Sequence, residues 1–298
     1  MLHFPISGVE THWWLPLLFG VVVSTFTSTG GLSGAFLLLP FQVSVLGFTG
    51  PAVSPTNLIF NIVAIPSGVY RYYHEKRLVK PIVWAVLIGT LPGVFIGAIL
   101  RIHFFLDPRV FKLFVGLVLL YIGSRLASAV LRKASYTARP ANNGQFIVTR
   151  PFWNSKRLGY EFNGVQYTAS TWTIMLLSLM VGIVGGVYGI GGGAIIAPFL
   201  VAVLRLPVHT VAGAALLGTF VTSVAGVIFY TALAPFYAQS GIVVTPDWLL
   251  GAMFGVGGAV GMYLGARMQR YLPARTIKPI VALCLFFVAI KYIVEFLS

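Results

Sequence analysis

Long apolar runs separated by short basic clusters dominate the chain. Trp13 to Ser28, Pro81 to Leu100, Val110 to Gly123, Ala212 to Leu233, Trp248 to Ala266 and Pro279 to Ile290 carry few or no charges. With their flanks they approach the roughly 18 residues that a helix needs to cross a bilayer, so they predict membrane spans or parts of spans. One segment breaks the pattern. Arg125 to Ser170 is polar, basic and too hydrophilic for lipid. Within it, Gly159–Phe162 and Val165–Thr168 alternate around Asn163-Gly164, a pairing that predicts a small extramembrane β-hairpin.

The apolar pattern repeats. A shift of 158 residues lays Gly31-Leu32-Ser33-Gly34-Ala35 on Gly189-Ile190-Gly191-Gly192-Gly193, Pro40-Phe41 on Pro198-Phe199, Gly68 on Gly226 and Tyr72 on Tyr230. Further on, a shift of 168 lays Gly89, Gly93, Gly97 and Ala98 on Gly257, Gly261, Gly265 and Ala266, which implies a loop insertion near Phe236 to Val244 in the second half. The resulting division is a first membrane repeat over 1–128, a basic linker with the hairpin over 129–171, and a second membrane repeat over 172–298. Internal repeats of this kind are common in transporters, where the substrate sits between the halves.

Each repeat opens with an apolar stretch interrupted by glycines, Trp13 to Leu46 broken near Gly30 to Gly34, and Trp172 to Leu204 broken near Gly189 to Gly193. Either the stretch folds back as a helical hairpin or it makes one broken crossing. Cytoplasmic loops are enriched in Lys and Arg, and that bias separates the two. The hairpin arrangement puts sixteen of the twenty basic residues on one side, leaving Arg101, Arg109, Lys112 and Lys291 opposite; the single crossing puts twelve on one side. A hairpin plus three spans makes an odd number of crossings per half, so the halves insert in opposite directions. The expected fold is an all-α integral membrane bundle of two inverted repeats, with the linker cytoplasmic and both termini periplasmic.

Composition narrows the chemistry. The chain is 58% apolar and 9% charged, with six acids in 298 residues, and this excludes an ordinary soluble domain. The net charge of +14 sits in short clusters between spans, which the orientation rule explains without nucleic acid. The single Cys284 lies in an apolar run and excludes an internal disulfide. Trp13 and Trp14 read as an interfacial anchor, and no removable signal peptide is expected. His3, His12, His74, His103 and His209 lack metal spacing; no metal or cofactor is expected.

In lipid an interrupted helix leaves backbone groups unpaired unless protein or a wet cavity receives them. A short helix starting at Gly34 or Gly192 would aim amide hydrogens and its positive dipole end into the membrane. Opposed insertion brings both breaks to the middle, an arrangement suited to an oxyanion. Candidate substrate-binding residues are Ser28, Thr29, Gly31, Ser33 and Gly34 at the first break, and Tyr188, Gly189, Gly191, Gly192 and Gly193 at the second. Asn57, Asn61, Thr219, Thr222 and Ser223 follow on the next helices, Asn61 and Thr219 being paired by the shift of 158. The glycine ladders at 89–97 and 257–265 are read as helix packing instead. Pro66 and Pro92 are expected to kink their spans.

The duplicated glycine break followed by Pro-Phe, the helix carrying Asn57 and Asn61, and the glycine-rich third span together resemble the sulfite exporter TauE/SafE family. The resemblance covers both repeats and leaves out the N-terminus and the linker. It implies a bacterial inner-membrane permease, in a family linked to export of sulfite, sulfonates and related sulfur compounds. The first break departs from the glycine-dense form.

No Asp or Glu lies near the centre of a span, which disfavours a proton relay, and an anion leaving a negative cytoplasm gains about 2.3 kcal/mol per charge per 100 mV. Electrogenic efflux of a small anion by alternating access is therefore the expected function. A carrier for another oxyanion, such as a carboxylate, is the nearest rival. A membrane enzyme would need catalytic groups at recognisable spacing, and the sequence supplies none; a scaffold leaves two interrupted helices unexplained. The partners implied are the small anion and the bilayer, with a homo-oligomer compatible with both.

Overall fold

The computed structural model describes residues 1–29, 33–74, 78–131, 148–162, 164–268 and 274–298. The first half of the chain holds helices α1 (Trp14–Thr29), α2 (Ala35–Ser44), α3 (Val53–Ala64), α4 (Pro66–His74), α5 (Lys80–His103) and α6 (Pro108–Leu131). The second holds α7 (Thr171–Tyr188), α8 (Gly193–Leu204), α9 (Val208–Tyr237), α10 (Trp248–Met268) and α11 (Ala274–Leu297). Six of these helices are long and apolar enough to cross a membrane, and α1 and α2 are shorter apolar helices. Ile88, Ile96, Leu176, Met180, Val256, Leu283, Phe287 and Ile290 stand exposed on their outer faces. Such a belt is costly in water and natural in lipid. The chain is an all-α polytopic membrane protein.

Glycine ladders bind the bundle across the repeats. A methyl group on Gly89, Gly93 or Gly97 of α5 would collide with the carbonyl oxygens of Met175, Leu179 and Ile183 on α7. On Gly257, Gly261 or Gly265 of α10 it would collide with those of Leu17, Val21 and Thr25 on α1. The shift of 168 relates the two ladders and the shift of 158 relates their partners, so the same seam is built twice. Backbones approach this closely only where side chains are absent, which is the packing role expected for these glycines. Helix α6 packs against α11, and α3 against both α9 and α10.

The proline readings divide. Pro92 stays within α5, whereas Pro66 ends a helix: α3 stops at Ala64 and α4 restarts at Pro66. Its counterpart in the second repeat is Val224, and there α9 runs unbroken over 30 residues. The insertion expected near Phe236 to Val244 first lengthens α9, then forms a short 3-10 turn at Ala238–Ser240.

The linker sheet is larger than the sequence suggested. Strands β4 (Arg157–Phe162) and β5 (Val165–Ser170) pair antiparallel as expected, and β3 (Val148–Trp153) adds a third strand. Asn163 lies outside the described residues, and Gly164 takes the left-handed conformation of a tight turn (φ 77°). Tyr160 fastens the sheet to the bundle, its hydroxyl 2.6 Å from Thr210 Oγ1. Burial pushes that phenol up to about 12, so it stays protonated. At the N-terminus β1 (Leu2–Phe4) and β2 (Val9–Thr11) form a hairpin that the apolar pattern did not predict. Ser7 N and Oγ donate to Asp247 Oδ2 at 3.1 and 2.8 Å and hold this hairpin to the loop before α10.

Candidate functional site

Both broken stretches are broken in the fold. Helix α7 ends at Gly189, which is left-handed (φ 81°), and Gly191 is left-handed again (φ 72°) before α8 begins with Gly192 as its N-cap. Side chains other than glycine rarely adopt that conformation, so the dense glycine run is what permits the reversal. A methyl on Gly185 would meet the backbone of Gly191 and Gly192 at 2.9 to 3.0 Å, which places the second break against the end of α7. Helix α2 starts after Gly34, whose φ of −68° is right-handed. Gly31 lies outside the described residues, as does the side chain of Thr29.

Helix α3 joins the two breaks. Asn57 Nδ2 donates to Ala35 O and to Gly189 O, both at 3.0 Å, while Asn57 Oδ1 accepts from Gln42 Nε2 at 3.2 Å. One turn on, Asn61 Nδ2 donates to Ile190 O at 3.0 Å and Oδ1 accepts from Ser33 Oγ at 2.7 Å. Tyr188 OH donates to Phe36 O at 2.8 Å, and Ser33 Oγ accepts from Ala35 N at 3.2 Å. The breaks thus lie within the reach of a single amide side chain. These amides and the Tyr188 hydroxyl, candidates for substrate contact, hydrogen-bond here to carbonyls at and beside the breaks and to the Gln42 and Ser33 side chains, as burial in a membrane protein demands.

The second-repeat residues gather on the other side. Gly192 N donates to Thr222 Oγ1 at 3.3 Å, and Thr219 and Thr222 otherwise bond to carbonyls of their own helix. A methyl on Gly193 would strike Ala215 O and the Thr219 backbone; on Gly192 it would lie 2.7 Å from Thr90. Ser28 faces a seam. Its Oγ donates to Thr25 O at 3.4 Å within α1 and packs beside Gly265 of α10.

Two hydroxyls at the breaks have no hydrogen-bond partner among the described residues. Ser24 Oγ and Ser223 Oγ are both fully buried, as is a third unpaired hydroxyl, Ser178 Oγ, in the α5–α7 seam beside Gly89. A methyl on Gly34 would lie 3.2 Å from Ser24 Oγ, and one on Gly191 would lie 2.9 Å from Ser223 Oγ. Each break therefore carries an unpaired hydroxyl beside one of its glycines, Gly34 at the start of α2 and Gly191 one residue before the N-cap of α8. Buried polar groups are nearly always paired, so an unpaired hydroxyl beside each break needs an explanation. The repeat does not relate the two: under the shift of 158 Ser24 falls on Gly182 and Ser223 on Ile65. Ser223 is among the candidates named from the sequence, whereas Ser24, six residues before Gly30 and inside α1, reads there as an ordinary span serine.

A buried cation was also missed. The sequence reading put Arg101 in an outside loop cluster, yet it is fully buried at the end of α5. Its guanidinium donates to Ser54 Oγ at 3.3 Å, to Thr49 O and Gly50 O at 3.3 and 3.1 Å, and to Phe105 O, and its Cζ lies 3.7 Å from the centre of the Phe111 ring. No carboxylate pairs with it among the described residues. Ser54 carries the contact onward, donating to Val187 O at 2.9 Å while its own backbone lies against Gly189.

Little room is left. A crevice of about 20 Å³, enough for one water, reaches Ile190 from between Phe36 of α2, Tyr121, Ile122 and Arg125 of α6, and Pro198 of α8. Pro40, paired with Pro198 by the shift of 158, is covered instead: Tyr292 OH donates to Pro40 O at 3.3 Å and lies 2.6 Å from Ser44 Oγ. Among the described residues no group of three or more His, Cys, Asp or Glu side chains could hold a metal.

The chain is similar to known membrane proteins along nearly its whole length. A relative from Bacillus subtilis (strain 168), named probable membrane transporter protein YunE, is 25% identical over 286 residues, covering 94% of this chain and 96% of the relative. A probable membrane transporter protein of Xylella fastidiosa (strain 9a5c) is 27% identical over 242 residues, covering 79% and 76%. The Bacillus subtilis probable membrane transporter protein YdhB matches a shorter stretch of 122 residues at 28% identity, 41% of this chain and 46% of its own. No solved structure matches the chain. The sequence profile of the Sulfite exporter TauE/SafE family matches residues 16–292, across both broken stretches and the seams between them, and the chain belongs to that family.

Proposed function

We propose that the chain is a transporter that exports a small anion, sulfite or an organosulfonate, and holds it between the two helix breaks during alternating access. The observation that carries this reading is the pair of hydroxyls of Ser24 and Ser223, each buried beside a glycine of a break and without a hydrogen-bond partner among the described residues. Such a helix start presents amide hydrogens and a positive dipole end, and a hydroxyl beside it adds a donor, the recognition set of an oxyanion. Arg101 adds a fixed positive charge one side chain away from Gly189, through Ser54. The family's name and the transporter names of the relatives agree with the reading.

Inverted repeats fit the packing. The doubled seam pairs α5 with α7 and α1 with α10, as a two-fold exchange of the halves requires. Transporters with such repeats move one bundle of helices against another around a central site, and each bundle here is joined across the halves by a seam. The crevice beside Pro198 and the covered surface beside Pro40 are then the two access routes in different states, one partly parted and one shut. The tight packing at the breaks makes the present arrangement an occluded one. By the distribution of basic residues the protein lies in the inner membrane with the linker cytoplasmic and both termini periplasmic.

Flux tests the reading. Proteoliposomes loaded with sulfite, with the voltage set by potassium and valinomycin, should release it faster when the interior is negative. Voltage-independent release would defeat electrogenic export. Absence of flux for sulfite and small sulfonates, with a carboxylate carried instead, would move the substrate to the rival class.

A further inference from the structure

The linker sheet and the first span of the second repeat enclose a cleft that transport of an anion does not use. It measures about 370 Å³ and is lined by Trp153, Asn154, Ser155, Thr171, Trp172 and Met175. Its level in the membrane follows from the chain. Strand β5 runs without a break into α7, a membrane-spanning helix, at Thr171, so the cleft lies where the backbone passes from water into lipid. The two tryptophans that flank it are 46% and 61% exposed, as indole rings are when they sit at a headgroup layer with an apolar body and a polar edge.

The rim is cationic and rigid. Asn154 Oδ1 accepts from Lys156 N at 3.0 Å and Arg157 N at 2.6 Å; Thr171 Oγ1 donates to Asn154 O at 3.0 Å and Thr171 N to Lys156 O at 3.2 Å. These bonds lock the loop onto the helix start, and the Lys156 and Arg157 side chains extend from it exposed. Neither has a carboxylate partner among the described residues. The sequence leaves few to choose from, since Glu161 is the only acid between Pro108 and Pro246, and it lies 3.6 Å from Arg150.

We propose that the cleft between Trp153 and Trp172 is a binding site for the headgroup of an anionic phospholipid, the phosphate meeting Lys156 and Arg157 and the glycerol and upper acyl carbons lying between the indoles toward Met175. Charge complementarity selects the occupant: a zwitterionic headgroup brings its own cation into a rim that already holds two, whereas an anionic one does not. The apolar walls select lipid over a free phosphate, which would leave both indoles wet.

Quenching of tryptophan emission by brominated lipid reads the site without reference to transport. The full-length protein goes into phosphatidylcholine vesicles in which a fixed minor share of the lipid is dibrominated phosphatidylglycerol or, in the control, dibrominated phosphatidylcholine. The anionic lipid should quench in excess of the control, and W153F/W172F should abolish that excess. K156Q/R157Q should weaken the preference about fivefold per charge removed, the equivalent of ~1 kcal/mol for each basic side chain at a membrane surface. These two side chains are exposed and unpaired, and an unchanged melting temperature of K156Q/R157Q would show the fold intact. Equal quenching by both lipids, or an excess that survives K156Q/R157Q, overturns the site. Displacement of the excess by soluble inorganic phosphate, or by an acidic peptide, overturns the lipid assignment and gives the cations to that occupant.

Discussion

The two helix breaks do one job with different parts. The second reverses through left-handed glycines at 189 and 191, whereas the first restarts its helix from Gly34 in an ordinary right-handed conformation. Their support is unequal as well. Asn57 and Asn61 of the first repeat bond to backbone carbonyls on both breaks, while the positions paired with them, Ala215 and Thr219, offer a methyl group and a hydroxyl turned back to its own helix. A duplicated scaffold can therefore keep its symmetry in packing while one copy takes over the polar support of both.

Four experiments sharpen or break that comparison. The largest effect is expected from Gly191→Leu set against Gly34→Ala. Leucine at 191 must adopt a left-handed backbone, costing ~1–2 kcal/mol, and it meets Ser223 and Thr219 at 2.9 Å. Sulfite flux should vanish while the protein still inserts. At Gly34 the nearest obstacles, Val23, Ser24 and Phe60 at 3.0 to 3.3 Å, are side chains that can shift, and flux should persist at a reduced rate. Equal loss at both positions would remove the distinction.

Next comes support. Asn61→Ala strands Ile190 O and Ser33 Oγ in the interior and should destabilise by about 2–4 kcal/mol, whereas Thr219→Ala removes a bond within its own helix and should cost less than about 1 kcal/mol. Thermal melting in detergent compares them, and similar losses would mean that the second repeat carries equal weight. Arg101 then gives a third contrast, because the shift of 168 lays it on the uncharged Gln269. Arg101→Gln should raise the sulfite KM about tenfold, ~1–2 kcal/mol for a charge acting through protein, and Arg101→Lys should restore part of it. Identical KM values for the two variants would reduce Arg101 to a clamp on the Thr49–Gly50 loop.

The smallest expected change separates function from stability. Ser24→Ala and Ser223→Ala delete hydroxyls that have no partner among the described residues, so melting temperatures should hold or rise slightly, yet anion affinity should fall by about 0.5–1.5 kcal/mol each. A drop in stability without a change in affinity would make both serines structural.

Much of this architecture was readable from periodicity and repetition. The glycine ladders announced their contacts because close backbone approach leaves no other residue type, and Asn163-Gly164 announced the β4–β5 turn because few residues fit one. Other features were invisible for equally physical reasons. Arg101 looks like one more loop charge until its four hydrogen bonds are seen to close on three carbonyls and a hydroxyl. Asn57 and Asn61 do lie between the two breaks, but that their amides bond to carbonyls there depends on tertiary geometry that spacing does not carry. Strand β3 and the N-terminal hairpin are short and lack a strong turn signal.

The glycine seams have a consequence for how the protein comes to exist. The first helix of each half finds its close partner only in the opposite half, so neither half encloses itself. A half synthesised alone would present a naked groove along α5 or α10, and a chain severed within the linker should stay together as two tightly held fragments. If transport proceeds by alternating access, the bodies that swing are composites drawn from both ends of the polypeptide.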